Sequence, residues 1–172
     1  HLARLLVAEG RMEEGYTVFE KLEHDLERIL GGRHVETALA RLNQAQVALF
    51  WPERTALALS LAEAALPVLE LALWPDHPHR VRVLLVRAKA LSALGRGEAA
   101  EKGFVAALNH GMAQFGTQDP QVAEILGERG WNRILLGTYQ NGVLDLERAL
   151  AMSEREGSSL SFKNHIHLLG RL

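Results

Sequence analysis

The sequence predicts an all-α solenoid, a stack of antiparallel helix hairpins, and three observations carry that expectation. Residues 79–94 and 97–114 each show a helical apolar pattern and are joined at Gly95-Arg96-Gly97. Small residues recur at Ala88, Gly95, Ala100 and Ala107, with Phe104 among them. That spacing lets two helices of a hairpin approach closely while one large side chain fills the gap. The arrangement then returns 42 residues later as Gly130, Gly137, Gly142, Leu146 and Ala149, and an Ala-Leu pair falls at Ala65-Leu66, Ala107-Leu108 and Ala149-Leu150. A fixed period of this length marks a repeat architecture. One hairpin cannot bury its apolar side alone, so stacking must supply the core.

In order, Leu2, Leu5, Leu6 and Val7 give residues 1–9 a helical pattern, with Ala3 and the turn glycine Gly10 in the repeat register. Residues 12–30 form the second helix, with Gly15, Phe19 and Leu22 at packing positions, and Gly31-Gly32 stop it. Residues 34–50 make the next first helix. Phe50-Trp51-Pro52-Glu53 is its turn, with Pro52 or Glu53 opening the second helix. This repeat lacks the turn glycine, and its register slips by about one residue. Pro67 lies inside the following helix and predicts a kink or break near residues 63–67. Trp74 to Pro78 is a loop, and residues 79–94 and 97–114 are the clearest hairpin. Asp119 is placed to cap a helix that starts at Pro120. Residues 120–136 and 140–156 pair around Gly137, Gly157-Ser158-Ser159 breaks the pattern, and residues 161–172 start one more helix. The chain thus reads as a single array of approximate repeats 1–33, 34–77, 78–119, 120–160 and a partial 161–172. Leu168, Leu169 and Leu172 would form an apolar edge, as expected for a segment of a longer protein or an end covered by a partner.

Composition narrows the function classes. Apolar content of 48% and charged content of 23% fit a folded domain with a substantial core, and the net charge of −2 supplies no field for nucleic acid. With no cysteine, disulfides and thiolate metal sites are excluded, which suits a reducing compartment. The apolar run from Ala56 to Trp74 has the length of a membrane span. Yet Ser60, Glu63, Pro67 and Glu70 step by three and four along one helical stripe, the pattern of a solvated face on a packed helix.

Position by position, the pattern resembles the tetratricopeptide repeat (TPR). With Val81 as first residue, Ala88 is the small eighth position, Leu91 the eleventh, Gly95 the turn glycine, and Ala100, Phe104 and Ala107 the small-large-small trio. The period and the lead-in Pro75-Asp76-His77-Pro78 are similar to the 42-residue variety of kinesin light chains and of many bacterial signalling proteins. Arg87 and Arg129, where the family prefers Leu, and Arg133 at the eleventh position depart from it. The resemblance implies a right-handed superhelix whose concave face is lined by the first helix of each repeat.

No catalytic constellation emerges. His77/His79 and His165/His167 are two residues apart, unlike the i, i+4 spacing of a helical zinc pair. Glu13-Glu14, Glu98/Glu101 and Asp145/Glu147 read as solvated outer faces. Gly95-Arg96-Gly97 is no phosphate loop, and Ser158, Ser159 and Ser161 lack a nucleophile elbow. Arg80 and Arg87 share one helix face while Arg82 and Lys89 share another, so they form no single cationic stripe for DNA. No enzyme activity, cofactor, nucleic acid or membrane partner is therefore expected.

Function by resemblance is the binding of a peptide, a partner protein or another domain of the same longer chain, in the cytoplasm. A different class of reading is a regulatory or sensory arm of a larger bacterial signalling enzyme, a kinase or NTPase whose catalytic part lies elsewhere. The family's concave positions fall on Leu39, Leu42, Asn43 and Gln46, then Arg82, Leu85, Lys89 and Ser92, then Glu124, Glu128, Trp131 and Ile134. By resemblance Asn43 would hold a partner's extended backbone. Trp131 is the candidate anchor, because aromatic residues dominate interface hot spots. The change of charge sign from Arg82 and Lys89 to Glu124 and Glu128 points to a mixed-charge partner, not to a strongly acidic tail.

Overall fold

A computed structural model describes residues 2–156, with side chains through Ser153. Among the described residues there are helices and turns but no strand. The elements are α1 (Leu2–Ala8), α2 (Met12–Leu30), α3 (Val35–Ala48), a 3₁₀ turn (Pro52–Arg54), α4 (Thr55–Ala72), α5 (Pro78–Ala93), α6 (Gly97–Phe115), α7 (Pro120–Leu135) and α8 (Tyr139–Glu156). Each helix packs on the next in chain order. The first helices also touch across repeats, α3 on α5 and α5 on α7, whereas the second helices have no comparable contact with one another. First helices therefore form the inner layer of the stack and second helices the outer one. The repeat pattern predicted at Leu168, Leu169 and Leu172 lies outside the described residues.

Three hairpin turns close alike. Gly10, Gly95 and Gly137 take positive φ, and the next residue's N–H returns to the helix: Arg11 to Leu6 O, Arg96 to Leu91 O and Thr138 to Arg133 O. Glycine accepts this conformation without a Cβ penalty, so the chain reverses with the helix carbonyls satisfied. The α3–α4 turn has no such glycine. Its chain continues through Leu49 in right-handed conformation into the 3₁₀ turn at Pro52, so α4 itself begins only at Thr55, later than the sequence suggested. The Arg54 guanidinium lies 4.4 Å from the ring centres of both Tyr16 and Trp51, and it pairs with Glu13. This stack ties the irregular turn back onto α2.

The starts of the first helices follow another rule. His34 Nδ1 accepts the Glu36 N–H, His77 Nδ1 accepts the His79 N–H, and Asp119 Oδ1 accepts the Gln121 N–H. These three caps occupy one repeat position, each satisfying an amide that the helix leaves without a partner. His77 is thus a helix cap, and among the described residues no group of three potential ligands is arranged for a metal.

In the α5–α6 hairpin Ala88, Ala100, Phe104 and Ala107 are fully enclosed, as the small-large-small pattern predicts. Ala107→Leu should overpack this contact and lower stability by about 1–3 kcal/mol in a urea melt; an unchanged midpoint would contradict the packing role. Gly15 and Phe19 are buried in α2, but Leu22 stays 43% exposed and does not join the core.

α4 runs unbroken through Pro67, so of the expected kink or break the break does not occur and the helix continues past the proline. Ala58, Leu59, Ala62, Ala65 and Leu69 are buried while Ser60, Glu63, Pro67 and Glu70 face outward. A proline on the outer stripe forfeits one backbone hydrogen bond, and packing along the opposite face holds the helix together. The segment Pro52–Ala72 is long and apolar enough to cross a membrane by length and composition. Its buried stripe packs against α3 and α5, while Leu57 and Leu71 stay exposed.

Candidate partner-binding groove

The inner layer encloses a groove of about 620 Å³ across α3, α5 and α7. Gln46, Arg82, Leu85, Lys89, Glu124, Glu128 and Trp131 line it, together with Ser92. Four other predicted residues lie elsewhere. Leu42 is fully buried in the core beside Tyr16, Val83 and Val86, which corrects its placement on the concave surface. Leu39 is half-buried against the same core. Asn43 Oδ1 accepts a hydrogen bond from Arg82 Nη2 at 3.0 Å, so that oxygen is already engaged within the protein. Ile134 is buried in the core.

The groove carries an apolar lip that the sequence reading missed. Phe50 and Leu135 line it and are each 60% exposed, and half-buried Trp131 lies one turn before Leu135 on α7. Phe50, Ala93 and Leu135 sit at one repeat position, 43 and then 42 residues apart, at the C-terminal ends of α5 and α7 and just past that of α3. The signal was present in the register. It was hidden by the one-residue slip around the glycine-free turn.

The polar walls differ in how their charge is balanced. Lys89 bridges Glu128 at 2.7 Å and Glu124 at 3.4 Å. Burial works against the ammonium, but the two carboxylates outweigh it and hold its pKa above the ordinary lysine value. Among the described residues Arg82 has only neutral hydrogen-bond partners: Gln46 Oε1 at 2.7 Å, Asn43 Oδ1 at 3.0 Å and His79 Nδ1 at 3.3 Å. Burial and the neighbouring Arg4 charge push the Arg82 pKa down, with Glu124 opposing. His79 is likewise pushed down, by burial first and then by Arg82, His77 and Arg4.

The remaining cations of α5 are absorbed by structure. Arg80 donates to the carbonyls of Leu73 and Glu70 at the end of α4, and Arg87 pairs with Glu63. The family-discordant arginines of α7 also have partners. Arg129 donates two 2.7 Å bonds to Asp145, and Arg133 bridges Asp145 and Glu101. Asp145 is therefore a buried ion-pair member, not the solvated surface residue its sequence context suggested.

No family model and no curated protein matches the sequence. Solved structures do. A structure described as a kinesin light chain of Podosopora anserina with nearly identical TPR-like repeats superposes with a TM-score of 0.67, at 19% identity, over 92% of this chain and 74% of that one. A single-substitution form of it superposes with a TM-score of 0.70, also at 19% identity, over 91% of this chain and 74% of that one. The fold is a TPR-like repeat solenoid. The TPR-like array accounts for the 42-residue spacing, the glycine turns and the inner layer of first helices seen here.

Proposed function

We propose that this TPR-like array is a protein-binding scaffold that receives a partner segment in the concave groove across α3, α5 and α7. The observation that carries this reading is the groove itself. An apolar lip of Phe50, Trp131 and Leu135 stands beside charged walls, on the inner layer of a repeat stack. Exposed aromatic and aliphatic side chains next to a concavity suit the anchoring of a partner's apolar residue, while polar walls set its register. The unequal charge of those walls suits a mixed-charge protein segment, in a reducing compartment such as the cytoplasm.

Trp131→Ala should weaken binding of the partner segment by about 2 kcal/mol or more, the range of an interface hot spot. Calorimetry would measure the loss, and circular dichroism should show helicity unchanged. Intact affinity would remove Trp131 from the site. Loss of helicity together with binding would mean that Trp131 serves packing alone.

A further inference from the structure

We propose that the groove is electrically polarised and seats an extended segment in one direction, with a partner's carboxylate side chain beside Arg4 and Arg82 and a basic side chain beside Glu124 and Glu128. The inference rests on the groove reading above and adds the order and sign of the partner's charges.

The positive end is built from unneutralised cations. Among the described residues, neither Arg82 nor Arg4 has a carboxylate within ion-pair distance, whereas Lys89 on the same helix as Arg82 has two. The amide oxygens of Gln46 and Asn43 hold the Arg82 guanidinium in place without cancelling its charge. Arg4 does not line the groove itself, but it lies one 42-residue period before Gln46, at the matching position of α1. It is exposed, and its charge already acts on both Arg82 and His79. A guanidinium fixed by neutral acceptors is prepared for a carboxylate, which meets it with charge-assisted hydrogen bonds.

The negative end is the mirror case. Among the described residues Lys89 is the one ion-pair partner that Glu124 and Glu128 share, which leaves one carboxylate charge in excess, although Glu124 also acts at longer range on Arg82. Glu124 occupies the Arg82 position one period on, and Glu128 lies one turn further along α7. Neighbouring helix axes stand about 10 Å apart and one turn adds about 5 Å, so the two ends are roughly 11 Å apart. Extended chain covers that distance in about three or four residues.

Selecting a random peptide library on the wild-type protein tests the proposal. Selected peptides should carry an acidic residue about three or four positions to one side of a basic residue, always in the same order. Exchanging the two charged residues within a selected peptide should weaken binding about tenfold or more, as should Arg4→Glu, by opposing like charges. Arg4 is exposed and, among the described residues, its side chain has no hydrogen-bond or ion-pair partner, so the variant should keep its thermal midpoint. In NMR titration, bound peptide should raise the His79 pKa, because a carboxylate near Arg82 and Arg4 favours the imidazolium. Equal binding of the exchanged peptide, or unchanged affinity in Arg4→Glu, would overturn the polarised seating. If Trp131→Ala still abolished that binding, the groove reading would survive. A library yielding no Trp131-dependent peptide would overturn both.

Discussion

Asp145→Ala should lower the unfolding free energy by about 3–5 kcal/mol, because it strands a buried cation. The Asp145 side chain is 5% exposed and accepts two hydrogen bonds from Arg129 and one from Arg133. Arg133 keeps Glu101 when Asp145 is removed, but Arg129, 11% exposed, loses both of its hydrogen bonds at once. The cost therefore falls on desolvated Arg129 more than on the loss of attraction. A double variant, Arg129→Met with Asp145→Leu, should recover most of the stability, since apolar residues of similar volume often replace a buried pair at little cost. Urea denaturation of both variants measures this. A loss below about 1 kcal/mol in Asp145→Ala would place the pair in the class of surface salt bridges.

Gly130→Leu should cost about 3 kcal/mol, the top of the usual range for overpacking. A Cβ at Gly130 would lie 2.8 Å from the Gly142 backbone oxygen and 2.9 Å from Leu146. A Cβ at Gly142 would meet the Gly130 oxygen at the same distance. The two backbones of the α7–α8 hairpin touch here, so relief requires the helices to separate and not merely a side chain to turn. Ala88 opposes Gly103 in the α5–α6 hairpin in a looser form of this contact, with a Cβ at Gly103 placed 3.0 Å from Ala88. Thermal melts should therefore show a larger loss for Gly130→Leu than for Gly103→Leu. Equal losses would contradict the closer approach of α7 and α8.

The hairpins were legible because close helix approach demands small side chains, and a repeat states that demand again at a fixed spacing. Gly130, Gly142 and Ala149 announce α7 and α8 as Ala88, Ala100 and Ala107 announce α5 and α6. The helix starts were only half legible. Asp119 is a familiar cap, whereas His34 and His77 cap through ring nitrogens, a use that composition does not advertise. Asp145 was misread because a carboxylate in a helical pattern ordinarily faces water, and its partners come from arginines that look out of place on α7. The groove was legible where the register held, at Arg82, Lys89, Glu124, Glu128 and Trp131. It failed where packing claimed the position, at Leu39, Leu42 and Ile134. Leu42 is enclosed between repeats, and exposed Phe50 takes a place in the groove that no concave position had assigned.

Photo-crosslinking tests the scaffold reading most directly. A benzophenone amino acid at Ser92, in the groove wall on α5, should crosslink a bound partner segment. The same group at Leu71, 91% exposed on the outer-layer helix α4, should not. Crosslinks from position 71 with none from position 92 would contradict binding in the concave groove.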